Sequence, residues 1–147
     1  MSIAERWKGY KDLPENIIDR LNDRKEFWER NKDVLLVYLF GSLSEKGSGN
    51  DIDLAILFEK RASYRRITEL LEDLYKILGT QRIDIVDLGR ASPVFKFDVL
   101  KTGKLLFARD TEILNNFEHK VIKEHMDMGY LRRIQKWYLR EKVLNKG

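Results

Sequence analysis

Two aspartates separated by one residue, Asp51 and Asp53, open an apolar run that continues through Leu54, Ala55, Ile56, Leu57 and Phe58. In an extended strand successive side chains alternate between faces. Both carboxylates therefore point one way, while Ile52, Leu54 and Ile56 point the other. Two carboxylates side by side repel, and each loses hydration against a packed sheet, an unpaired cost on the order of several kcal/mol. A divalent cation held by oxygen ligands removes the conflict. Solvated aspartates at a strand start are the plain alternative, and Asp-Ile-Asp alone does not decide between the two.

The residues ahead of the pair add phosphate chemistry. Val34 to Phe40 is an unbroken apolar run, then come Gly41 and Ser42 and a loop rich in glycine and serine that reaches Asn50. Gly41 lets backbone approach a ligand closely. Ser42 adds a hydroxyl and an N–H, and free amides at a helical turn beginning there would bind phosphate. An ordinary turn explains Gly-Ser by itself; the conjunction of strand, Gly-Ser, short loop, Asp-x-Asp and strand is what points to a nucleotide and metal site.

Composition limits the alternatives. The chain has 147 residues, enough for one domain with its own core. With no cysteine and two histidines, thiolate sites are excluded and a structural zinc site is not expected. Any metal must rest on carboxylates, which favours Mg²⁺ or Mn²⁺. The formal net charge of +4 is too mild to imply nucleic acid, and direct nucleic-acid binding is not expected. No apolar run reaches the length of a membrane span, and the first residues lack a signal-peptide core, so a cytoplasmic protein is expected.

The elements that must position these residues follow from periodicity. Pro14 to Lys32 reads as one helix, Val34–Phe40 as a buried strand and Asp51–Phe58 as a second strand. Ile67, Leu70, Leu71, Leu74 and Leu78 recur at helical spacing over Tyr64–Leu78, with Gly79 to end the helix. Arg82–Leu88 reads as a third strand. Ser92-Pro93 opens a helix closing near Gly103. Lys104–Ala108 is a short strand, and Asp110 caps a long helical region reaching Leu144, with a break expected at Gly129. The first two strands are joined too briefly for a parallel crossover. The chain is read as α+β, a mixed β-sheet flanked by helices, forming a single domain over residues 1–147 with a C-terminal helical segment over 110–144.

Gly41-Ser42, a short loop and Asp51-Ile52-Asp53 resemble the signature of the polymerase-β-like nucleotidyltransferases, and the small size resembles the minimal members called MNT or MntA. Arg82-Ile83-Asp84-Ile85-Val86-Asp87-Leu88 is similar to the strand bearing that family's third carboxylate, and the likeness continues to Asp110. The loop after Ser42 is shorter than the commonest family spacing. Ser44, Glu45 and Lys46 stand where the family often has a small residue and an arginine, and Lys46 can supply the positive charge.

The resemblance implies the nucleotidyltransferase fold and one or two Mg²⁺ ions on Asp51, Asp53 and Asp84. It implies ATP as substrate, with Gly41, Ser42 and Lys46 toward the nucleotide, and Asp84 helping to activate the acceptor hydroxyl. Asp87 is the rival of Asp84, on the opposite face of a regular strand. The resemblance further implies AMP transfer to a tyrosine of a partner, a helical HEPN-domain ribonuclease toxin, with the chain as its antitoxin. A non-catalytic antitoxin acting by contact and a transferase for a small hydroxylated molecule stand as alternatives. His119 and His125 lack metal-pair spacing and read as surface residues; Trp7, Trp28 and Trp137 read as core or interface anchors. Beyond Gly129, Arg132, Arg133, Lys136, Arg140, Lys142 and Lys146 face only Glu141 in charge, either a solvated helix face or a docking surface for an acidic protein or RNA.

Overall fold

The computed structural model describes residues 16–41 and 51–144. Its elements run α1 (Ile17–Asn22), α2 (Lys25–Arg30), β1 (Val34–Phe40), β2 (Ile52–Phe58), α3 (Tyr64–Leu78), β3 (Ile83–Asp87), a single 3₁₀ turn (Leu88–Arg90), α4 (Pro93–Thr102), β4 (Lys104–Ala108) and α5 (Thr111–Leu144). The four-stranded sheet has the order β3-β2-β1-β4. β1 is antiparallel to β2 and to β4, whereas β2 and β3 are parallel and joined through α3. The sheet is mixed, as the short connection between β1 and β2 requires.

β1 is apolar throughout because both of its faces are covered. Val37 and Leu39 pack with Ile52, Leu54 and Ile56 against α1, α2 and α3, through Leu21, Trp28, Leu70 and Leu74. Leu36 and Tyr38 pack with Ala55, Leu88 and Val99 on the other face, beneath α4 and the first half of α5. Val34 breaks the alternation, since the register slips between Val34 and Leu36. Truncating a fully buried side chain such as Leu54 would cost about 2–5 kcal/mol.

Local signals place the helices. Ser63 caps α3 by accepting from Arg66 N at 3.1 Å, and Gly79 closes it at φ 71° with its N–H on Tyr75 O. Ser92 accepts from Phe95 N at 3.1 Å, with Pro93 in the first turn of α4. Arg66 grips Asp33 through two contacts of 2.8 and 2.7 Å, tying α3 to the entry of β1. That hydrogen bonding holds the Asp33 carboxyl below its usual range, against a smaller opposing effect of burial. Arg109 fastens the opposite side: its guanidinium donates to the carbonyls of Trp28, Asn31 and Val34 at 2.7, 3.1 and 2.8 Å.

Two expectations are corrected. The helix expected from Pro14 to Lys32 is, over the described residues, two helices parted at Asp23 and Arg24. Asp23 N bonds back to Asp19 O, Arg24 Nε takes the Arg20 carbonyl, and the restart turns Phe27 and Trp28 inward as an edge-to-face pair at 4.9 Å. The break expected at Gly129 does not occur, and α5 is continuous over 34 residues. A glycine inside an exposed helix costs only about 1 kcal/mol, which flanking helix formers absorb. No helix among the described residues is long and apolar enough to cross a membrane.

Candidate active site

The ends of β1, β2 and β3 that lie together form a row. Phe40 is the register partner of Asp53, and Asp53 is the register partner of Asp84. Gly41 follows Phe40 at φ 78°, a left-handed conformation that glycine adopts without strain. A Cβ at Gly41 would also stand 2.5 Å from Asp53 Oδ2. The residue type at 41 is thus set twice, by its backbone angle and by the carboxylate that occupies the space beside it.

Asp53 is half-buried and Asp84 exposed. Both sit on the sheet face that α4 and α5 cover further along β1 and β4, with the Phe40–Phe95 edge-to-face contact at 5.3 Å marking where that cover ends. Burial, then Asp84, then Asp51 raise the Asp53 carboxyl above its ordinary pKa. Asp53 therefore sits where negative charge is crowded and hydration reduced, the setting in which a cation has most to offer.

Asp51 lies just before β2, and its Oδ1 accepts from Arg82 Nε at 3.2 Å, the arginine side chain being only 9% exposed. The backbones meet there too, Ile52 N donating to Arg82 O at 2.8 Å. Sequence reasoning missed Arg82. Its signal was its position two residues before Asp84, which puts it on the same face of an extended segment. Among the described residues, no three His, Cys, Asp or Glu side chains stand grouped as a metal cage. The chemistry of the donors fits a hard cation, and Arg82 meets one oxygen of Asp51.

Asp87 has another role. It is 8% exposed, its Oδ1 accepts from Gly89 N at 2.9 Å, and Oδ2 stands 3.6 Å from Arg90 Nε. Arg90 in turn donates to the Ala62 carbonyl at 2.9 Å. Asp87 organises the turn leaving β3 and faces away from Asp84. Ser42 and Lys46 lie outside the described residues, as does Trp7. Trp28 is buried in the core, while Trp137 is exposed. His119 is exposed, but His125 corrects the surface reading: it is partly covered and stacks on Phe97 at 3.7 Å, pinning α5 to α4.

A family model described as "Polymerase beta, Nucleotidyltransferase" matches residues 22–112. No curated protein matches the chain. Among solved structures, the chain is similar to one in a complex of the tri-AMPylated Shewanella oneidensis HEPN toxin with MNT antitoxin, at 30% identity over 81% of this chain and 89% of that one, TM-score 0.57. It is similar at 30% identity to a mutant MntA–HpeT toxin–antitoxin, covering 82% and 93% with TM-score 0.61. A toxin–antitoxin with AMP-PNP also matches, at 30% identity, 82% and 94% coverage and TM-score 0.60.

Proposed function

Because the chain belongs to the polymerase β nucleotidyltransferase family, we propose that it transfers AMP from ATP to a hydroxyl of a partner protein. We take that partner to be a HEPN-type toxin, which the chain neutralises as a single-domain, cytoplasmic antitoxin. The observation that carries this reading is the pairing of Asp53 with Asp84 on neighbouring strands, with Gly41 against Asp53 just past the end of β1 and Asp51 beside them. The relatives lend support through what they contain: a tri-AMPylated HEPN toxin in one, AMP-PNP in another.

In this reading Asp51, Asp53 and Asp84 hold Mg²⁺. When bound, the ion would supply positive charge against the negative charge that develops on the leaving pyrophosphate. Gly41 would admit the nucleotide backbone-close, and Ser42 and Lys46, which follow it in the sequence, are assigned to the phosphates. The acceptor oxygen attacks the α-phosphorus, and a new P–O bond forms as the bond to the bridging oxygen breaks. The hydroxyl proton passes to Asp84, the most exposed of the three carboxylates, and pyrophosphate departs.

A second reading, neutralisation by contact alone, is favoured by the Asp51–Arg82 ion pair, which already engages one oxygen of that carboxylate. Co-expression with a HEPN-type partner, followed by intact-mass analysis after incubation with ATP and Mg²⁺, tests the proposal. AMP added to the partner supports transfer. A partner that is silenced but carries no AMP overturns it in favour of contact.

A further inference from the structure

α5 is two different helices in one. Its first half is anchored: Phe117 and Val121 pack on the body, Glu118 accepts from the Tyr38 hydroxyl at 3.1 Å, and His125 stacks on Phe97. Beyond that, every residue from Tyr130 to Lys142 is exposed. Soluble surfaces carry single apolar residues freely, but a contiguous apolar strip marks an interaction site. Here Ile122, Met126, Tyr130, Ile134 and Tyr138, each 43% to 66% exposed, follow one another at every fourth position. With about 1.5 Å of rise per residue the row is about 24 Å long. Trp137 and Leu131 widen it toward the end of the helix.

Side chains four apart form the ridge that packs into the groove of another helix, and such a row winds around the helix axis rather than running parallel to it. That shape suits a crossing helix better than a flat lipid surface. Asp127 and Glu141 fall at the same angular positions as the apolar row, a burden in acyl chains that a protein surface can accommodate. Charge narrows the occupant further. Advancing about 100° per residue, Lys123 lies within the apolar arc, Arg133 and Arg140 toward its edge on one side, and Lys142 just beyond it on the other. From Ile122 to Lys142 six basic side chains stand against three acidic ones, so a second copy of this chain would meet a net like charge, whereas a partner with acidic residues flanking its own apolar ridge would pair with the excess.

We propose that the outer face of distal α5 is a docking surface for a partner protein that presents an apolar helix flanked by acidic side chains. The surface lies outside the carboxylate site, and this inference stands whether or not the chain transfers AMP.

The test uses the full chain and two synthetic helical peptides with leucine at every fourth position, one flanked by glutamates and the other by lysines. Trp137 emission reports binding, with Trp137→Phe to assign the signal. The glutamate peptide is expected to bind at least about ten-fold tighter than the lysine peptide. Ile134→Glu, at an exposed position outside the core, should weaken it about ten-fold. Arg133→Glu/Arg140→Glu should shift preference toward the lysine peptide. Three results would overturn the proposal: equal affinity for both peptides or for neither, binding to phosphatidylserine vesicles instead, or self-association abolished by Ile134→Glu.

Discussion

Asp84 and Asp87 share a five-residue strand, and their fates differ completely. Asp84 opens to solvent beside Asp53, with Asp51 close enough to act on Asp53 as well. Asp87 is buried, one oxygen on Gly89 N and the other toward Arg90. One oxygen of Asp87 serves the backbone of its own turn, while the other is buried beside a guanidinium without a hydrogen bond. A carboxylate crowded by other carboxylates has no such outlet. The lesson is that the neighbours, and not the residue type, divide chemistry from architecture: three residues along β3 are enough to pass from one to the other.

The largest effect is expected at β2. Asp51→Asn/Asp53→Asn should reduce AMP transfer to background while the circular dichroism spectrum and cooperative melting persist; measurable wild-type transfer in that variant would remove the carboxylate row from the mechanism. Next comes the β3 pair. Asp84→Asn should cut transfer by roughly 10²-fold or more with Mg·ATP affinity largely kept. Asp87→Ala should instead lower stability by about 1–3 kcal/mol, since Gly89 N–H loses its acceptor, and leave the rate per folded molecule unchanged. Single-turnover assays beside denaturant melts separate the two, and a reversed pattern would exchange their roles.

Gly41→Val should weaken Mg·ATP binding by about 1–2 kcal/mol and destabilise the chain, because a Cβ meets Asp53 Oδ2 and a β-branched residue resists φ 78°. Calorimetric titration with a non-hydrolysable ATP analogue reads the first effect; unchanged affinity would make Gly41 a turn residue only.

The smallest effect is in pH. The raised Asp53 carboxyl means the folded chain holds a proton more tightly than the unfolded one, so stability declines as pH rises through the interval from the ordinary aspartate pKa up to the raised one. Asp33, held low by Arg66, acts oppositely: its contribution is present above the ordinary aspartate pKa and lost as pH falls through its lowered value. Metal-free Asp53→Asn should therefore melt slightly above wild type near neutral pH, the difference fading by about pH 4. A difference independent of pH would mean that ionisation is not its source.

Much of the frame was legible. β1, α3 and β4 carry apolar periodicity, caps and closing glycines that agree with one another, so their limits follow from local chemistry. The face of Asp53, opposite Ile52, Leu54 and Ile56, followed from strand alternation alone. The Asp23–Arg24 break was hidden because its cause is tertiary: Phe27 and Trp28 must turn into a core that no local pattern displays. The Asp51–Arg82 pair was hidden because it depends on the β2–β3 register, and the approach of Asp53 to Gly41 because it depends on how β1 meets β2.

The Arg109 clasp carries a consequence in time. Its three carbonyl partners belong to Trp28, Asn31 and Val34, and β4, the second neighbour of β1, ends one residue before it. During synthesis the central strand is thus made early and closed late. β2 can cover one edge of β1 as soon as it emerges, but the other edge stays open until residues 104–109 follow. An unpaired apolar edge is a template for wrong pairing. A nascent chain halted before Lys104 should accordingly be captured by chaperones or aggregate, whereas one extended past Arg109 should resist protease at the α2–β1 junction.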